Sequence, residues 1–245
     1  MPREFEVREE IALDATPEQV WAAIATGPGV DSWFMGRNEI EPREGGAGRQ
    51  TVLGVTGEST VTAWEPGVRF ATRTQASPEG TFMAFEYLLE GRDGGSTLLR
   101  LVHSGFLDED WESEYEALRV GDGMYLRKLA AYLRCFPGRT SVYDLFLAGS
   151  SATTREDAWA RFGAAFGLAG WPVTPGRPMI LSVPGLPAET GTVLFASYGF
   201  LGAVTASSLY TLVHGHHGLM VAQQHCFTGE PARERAQAAW QAWLG

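Results

Sequence analysis

Lysine is almost missing from this chain: 18 of its 19 basic residues are arginine, which reflects composition rather than a chemistry. Against them stand 29 acidic residues, for a net charge of -10. A nucleic-acid or anionic-membrane partner needs a basic footprint, so neither is expected. Cysteine is scarce too. Cys135 and Cys226 make no disulfide framework and fit a reducing, cytoplasmic setting. The opening Met-Pro-Arg-Glu-Phe-Glu has no apolar stretch of the signal-peptide kind, which agrees with that location. No nucleophile elbow, phosphate loop, dinucleotide fingerprint or Cys-x-x-Cys pair occurs, so no cofactor is implied and the common hydrolase, nucleotide and redox readings fall away. The last deficit is local. Residues 190–229 hold no Asp, Glu, Lys or Arg. Their length from Thr192 to Val213 would reach across a bilayer, but the many Gly, Ser and Thr residues among β-branched and aromatic ones predict buried strands rather than a membrane span.

What is present begins with a repeat. Asp14-Ala15-Thr16-Pro17-Glu18-Gln19-Val20-Trp21-Ala22 aligns with Ala152-Thr153-Thr154-Arg155-Glu156-Asp157-Ala158-Trp159-Ala160. Each copy follows an alternating run, Phe5 to Leu13 and Tyr143 to Leu147, so each reads as strand, N-cap threonine, then helix. Pro17 is pre-set for the first helical turn, and Gln19 stands where a capping box needs it. Two units are expected, 1–138 and 141–245, divided at Pro137-Gly138-Arg139-Thr140, with Trp21 and Trp159 in equivalent buried places. The acidic excess lies in the first. Residues 1–140 hold 23 acidic and 14 basic residues, against 6 and 5 in the remainder.

In the first unit, helix 17–25 stops at Gly27-Pro28-Gly29, and a short turn carries Trp33, Phe34 and Met35. A meander is then predicted, with strands at 49–55, 58–64, 69–74, 82–90 and 97–104. Turn chemistry separates them: Thr56-Gly57, Glu65-Pro66-Gly67, Ser77 to Gly80 and Arg92 to Gly95. Alternation turns Met83, Phe85, Tyr87 and Leu89 to one face, and Leu99, Leu101 and His103 inward on the next strand. A helix from Trp111 to Phe136 shows a stripe of Tyr115, Leu118, Tyr125, Leu129 and Leu133, with Asp122 inside it between Gly121 and Gly123. Two glycines within a helix favour a kink, a close approach or open space. The second unit reads as strand 142–148, helix 154–166, strands at 177–183, 192–198, 203–213 and 218–227, and a closing helix 230–244.

Strand, helix, bent antiparallel sheet and a long last helix is an α+β order, two tandem helix-grip units with the second smaller. In the first unit, Ala15 to Trp21, Trp33-Phe34, Gly45-Gly46, Glu65-Pro66-Gly67-Val68-Arg69-Phe70, Thr97 to Phe106 and Gly121 together resemble the START-like superfamily. The nearest branch is the one named for activators of the heat-shock protein 90 ATPase. The second unit shares only its opening and its element order. The resemblance implies a cavity between sheet and last helix for an apolar or amphipathic small molecule. It does not imply one chemistry. Trp33, Met35, Phe70, Met83, Phe85, Tyr87, Leu99, Leu101, His103, Asp122, Tyr125 and Leu129 are the expected ligand-binding residues, and a solid core is the alternative for the same pattern. Relatives place a large aromatic after the glycine equivalent to Gly121. Here Asp122 stands there, which should enlarge the cavity and bring a carboxylate within reach of His103 or Tyr87 unless the helix turns it outward.

His214-Gly215-His216-His217 with His225 and Cys226 has metal-ligating side chains, yet the glycines mark a hairpin and no carboxylate is near, so no metal is expected. Asp108, Glu109, Asp110, Glu112 and Glu114 read as a solvated helix start. The leading expectation is binding of a hydrophobic or amphipathic small molecule. The alternatives are a cyclase- or hydrolase-like enzyme using acid and base in the cavity, or a chaperone-modulating or partner-binding module. The uncharged 190–229 segment is expected to lie in the core of the second unit and in an interface, with the first unit or with a second chain as a homodimer.

Overall fold

Two threonines start two units. In the computed structural model, which describes residues 2–107, 111–170, 172–197, 199–215 and 218–245 and, of Ser113, the backbone alone, Thr16 caps helix α1 (Pro17–Ala25). Its hydroxyl accepts from the Gln19 amide, and the Gln19 side chain accepts from the Thr16 amide at 2.9 Å. Thr154 caps α4 (Arg155–Ala165) in the same way, accepting from the Asp157 amide at 3.1 Å while its own hydroxyl donates to the Asp157 carboxylate. The chain divides into compact units Met1–Gly138 and Arg139–Gly245.

The first unit runs β1 (Arg3–Leu13), α1, the single turn α2 (Gly27–Val30), β2 (Arg37–Ile40), β3 (Ala47–Val52), β4 (Val55–Glu65), β5 (Arg69–Thr74), β6 (Phe82–Arg92), β7 (Ser96–Leu107) and α3 (Trp111–Cys135). Its seven strands form one antiparallel sheet in the order β1-β7-β6-β5-β4-β3-β2. Two details correct the sequence reading. β2 joins the sheet, pairing Arg37 with Thr51 through Ile40 with Gly48. The β3–β4 turn falls at Leu53-Gly54, both at positive φ as a two-residue hairpin requires, whereas Thr56 and Gly57 lie in the ladder opposite Thr51 and Gln50. Helix α3 continues through Gly121 to Gly123. A Cβ at Gly121 would meet nothing, while Gly123 passes beside the Glu9 carboxylate.

The second unit has β8 (Tyr143–Ala152), α4, β9 (Pro178–Leu181), β10 (Glu189–Ser197), β11 (Phe200–Thr205), β12 (Ser208–His214), β13 (Leu219–Cys226) and α5 (Arg233–Leu244). Its six strands form a separate sheet in the order β8-β13-β12-β11-β10-β9. The single strand expected over 203–213 is two. Thr205 Oγ1 accepts from the amides of Ser207 and Ser208, and this local bond turns the chain where the apolar run gave no break. The core between this sheet and its two helices includes Phe162, Phe166, Tyr210 and Trp240, each buried to within about a hundredth of its surface. Trp21 and Trp159 are half-buried rather than deeply buried. Trp21 packs edge-on against Trp64 at 5.0 Å, and Trp159 against Phe162 of its own helix at 5.2 Å. No helix among the described residues is long and apolar enough to cross a membrane.

Candidate functional site

β7 lies between β1 and β6, and its alternation sends Leu99, Leu101 and His103 into the core. His103 stands opposite Val7 on one side and Phe85 on the other. The Phe85 ring stacks on the imidazole at 3.9 Å, and the Phe5 ring meets it edge-on at 5.1 Å. On α3, Asp122 shares a helix face with Tyr125 and Leu129, so it too points at the sheet. His103 Nδ1 and Asp122 Oδ2 are 2.9 Å apart, with the two residues 1% and 8% exposed.

A carboxylate can only accept, so in a bond to the Asp122 carboxylate Nδ1 carries the hydrogen, and Nε2 is the ring atom left for another partner. Nε2 is buried and has no partner among the described residues. A carboxylate that fixes the ring orientation, with the far nitrogen unspent, is an oriented base. Tyr87 lies two positions from Phe85 on the same face of β6. Its phenol is pushed well above the usual tyrosine range, by burial first and then by the charge of Asp122, though no hydrogen bond joins the two.

Beside this pair is a cavity of about 160 Å³. Trp33 and Phe34, with Ile24 and Val30, wall it on the helical side, and Phe70, Phe85 and Tyr87 on the sheet side. Asn38, Gln50, Ser59, Thr72 and Thr74 supply polar groups. The amides of this wall are held in place: Gln50 Nε2 donates to Asn38 Oδ1 at 3.1 Å, and Asn38 Nδ2 donates to Asp31 Oδ1 at 3.0 Å.

Of the expected binding residues, then, Trp33, Phe70, Phe85 and Tyr87 line the cavity, and His103 and Asp122 meet each other, with Phe85 touching both features. Leu99, Leu101, Tyr125 and Leu129 are packed core. Met35 contributes its carbonyl, which accepts from Asn38 and Gln50. Met83 packs against Phe5, Val7 and Leu107 and borders a separate shallow depression of about 430 Å³. α3 lends no side chain to the cavity, because Phe34, 4.5 Å from the Tyr125 ring, fills the space between. The cavity lies under the α1–α2 segment instead.

Sequence reasoning passed over Phe34, Asn38, Gln50, Thr72, Thr74 and Lys128. The threonines follow Phe70 at period two and were within reach of the alternation argument. Lys128 is 1% exposed, with Nζ 5.6 Å from the Tyr125 ring centre, and an amphipathic reading sends such a residue to solvent.

In the second unit His214 Nε2 lies 3.0 Å from the Thr153 carbonyl, and Cys226 is buried with its sulfur near Thr228 and the Glu230 carbonyl. His216, His217, Asp108, Glu109 and Asp110 lie outside the described residues. Among those described, no three His, Cys, Asp or Glu side chains group as a metal site would need.

No curated protein matches the chain. Among solved structures, protein MLL2253 from Mesorhizobium loti is 22% identical, with a TM-score of 0.48 over 54% of this chain and 98% of its own. The Aha1 dimer from Colwellia psychrerythraea is 21% identical, with a TM-score of 0.45 over 55% of this chain and 99% of its own. DynU16, from the dynemicin biosynthetic locus, is 19% identical, with a TM-score of 0.45 over 98% of this chain and 96% of its own. Residues 14–134 match the family model described as Activator of Hsp90 ATPase homolog 1-like protein. That span begins at the Thr16 capping box and ends within α3, taking in both His103 and Asp122, so it is in its first unit that this chain is similar to that family.

Proposed function

We propose that the first unit binds a small molecule made of one apolar ring and a hydrogen-bonding head, in the cavity between its sheet and the α1–α2 segment. The observation that carries this is the composition of the wall. Five aromatic side chains line about 160 Å³, and the amides and hydroxyls of Asn38, Gln50, Ser59, Thr72 and Thr74, with the charged Glu39, Arg49 and Glu58, supply the polar part of the lining. Ligand sites are built of apolar surface with few placed polar groups. A space of this size accepts about one benzene-sized ring. The free thiols of Cys135 and Cys226 support a reducing compartment, the cytoplasm, as its setting.

Saturation-transfer NMR with phenol, benzyl alcohol and cyclohexanol tests the reading, with Thr72→Leu as the blocking variant because it places an isobutyl group in the cavity. Phenol or benzyl alcohol should show transfer that Thr72→Leu abolishes. Transfer that survives Thr72→Leu, or none from any of the three, ends the proposal.

The His103–Asp122 pair favours one further reading, proton transfer, for a ligand that moves the Phe85 ring and reaches Nε2, which does not itself line the cavity. His103→Gln should then remove turnover of a panel of enolisable phenols and ketones while leaving their binding intact. If turnover persists in His103→Gln, the pair is structural.

A further inference from the structure

A second concavity is in the second unit, where neither the family match nor the cavity above reaches. It is a solvent-open groove of about 1080 Å³. Its shape follows from how α4 ends. Gly167 at φ +60° follows the helix, the Leu168 amide donates to the Gly163 carbonyl at 2.8 Å, and the Gly167 amide donates to the Ala164 carbonyl, a Schellman closure. That closure folds the chain back and sets Leu168 beside the helix. With buried Val173 and Leu201 it forms an apolar floor. Half-buried Trp159 stands on the helix side, fixed edge-on against Phe162. The same lining includes the exposed Arg155, which makes no ion pair among the described residues.

We infer that this groove is a second ligand site, and that it takes a flat aromatic molecule carrying one carboxylate. The volume is slightly above the range of about 300 to 1,000 Å³ that ligand pockets span, which leaves room for a fused ring system and its solvent. An indole face offers stacking surface to a ring system, and a guanidinium offers a carboxylate two parallel hydrogen bonds. Glu156 also borders the groove. With Glu156 beside Arg155 the lining carries one charge of each sign, and it is the paired donors of the guanidinium rather than net charge that select a carboxylate. The site is independent of the one proposed for the first unit.

The test is isothermal titration of the full chain with 2-naphthoate, 2-naphthalenemethanol and 2-naphthylmethylammonium. Ala160→Phe fills the groove from an exposed position of α4, and should weaken naphthoate by about tenfold or more at an unchanged urea midpoint. Arg155→Gln should weaken naphthoate about threefold and leave the alcohol unaffected, the scale of one exposed charge contact. No heat from any probe, or equal naphthoate affinity in Ala160→Phe, overturns the site. Tighter binding of the ammonium overturns the assigned ligand class. Loss of naphthoate binding in Thr72→Leu rather than in Ala160→Phe would move the binding to the first unit and overturn the inference, while leaving the first proposal standing.

Discussion

In each unit a buried side-chain bond of 2.9 Å joins the last helix to the sheet, but the two bonds differ in kind. In the second unit Trp240 Nε1 on α5 donates to Gln224 Oε1 on β13, and the other end of that amide faces the hydroxyls of Tyr143, Ser208 and Tyr210 at 3.3 to 3.4 Å. The indole has one donor and it is used; the amide is occupied at both ends. In the first unit the bond joins two titratable groups, His103 and Asp122, and leaves Nε2 over. A fully satisfied buried network fixes geometry and has nothing left to offer a ligand. A partly satisfied one stores unspent bonding capacity. The contrast assigns a structural part to the Gln224–Trp240 junction and leaves chemistry open at the His103–Asp122 junction.

The sharpest way to break this contrast is to remove each junction from its helix side. Trp240→Ala should cost about 3–5 kcal/mol, since it opens a large cavity in a packed core and orphans the Gln224 carbonyl. Urea denaturation followed by the signal of the second unit would read it. A loss below about 1 kcal/mol would mean that the core collapses freely around the gap and that the junction is not what holds it.

Next in size is Asp122→Ala, expected to cost about 1–3 kcal/mol because a buried imidazole N–H loses its acceptor. Asp122→Asn should cost clearly less, since its carbonyl oxygen can still accept from Nδ1. If the two variants are equally destabilised, the charge and not the hydrogen bond is what His103 requires. If both match the wild-type chain, the pair contributes nothing to stability.

Much of this was readable beforehand, and the reasons separate by distance along the chain. Local rules located both caps, the inward turn of His103 and the inward face of Asp122, because caps and side-chain periodicity depend on neighbours a few residues away. The break at Ala206-Ser207 was missed because it is made by Thr205 bonding its own backbone inside an otherwise continuous apolar run. β2 was missed because four residues are too few for a pattern. The cavity was expected under α3 but lies under α1–α2. Whether Phe34 or a ligand fills the space beside Tyr125 is a matter of three-dimensional packing, which no periodicity encodes. The groove of the second unit depends on where the chain goes after Gly167, which lies outside any helix or strand pattern.

The smallest effect sharpens the contrast by pH. The phenols of Tyr143 and Tyr210 in the second unit are pushed far upward by burial, so neither titrates near neutrality. In the first unit the carboxyl of Asp31, which accepts from Asn38 of the cavity wall, is raised above its ordinary 3.8. Burial is the main cause, outweighing the hydrogen bonds from Asn38 and the pull of Arg37, while Glu39 adds to the rise. A carboxyl raised on folding binds its proton more tightly in the folded chain than in the unfolded one. Between 3.8 and its folded value the folded state therefore holds more protons, and stability falls as pH climbs through that window. Asp31→Asn removes this term while its side-chain oxygen can still accept both bonds from Asn38, at 2.7 and 3.0 Å. The urea midpoint of the variant relative to wild type should rise as pH increases from below 3.8, then level off before neutrality. A difference that stays flat across that range would show that Asp31 titrates alike in both states. A difference that falls with increasing pH would show that its carboxylate is stabilised in the fold, with Arg37 and the Asn38 donors outweighing burial.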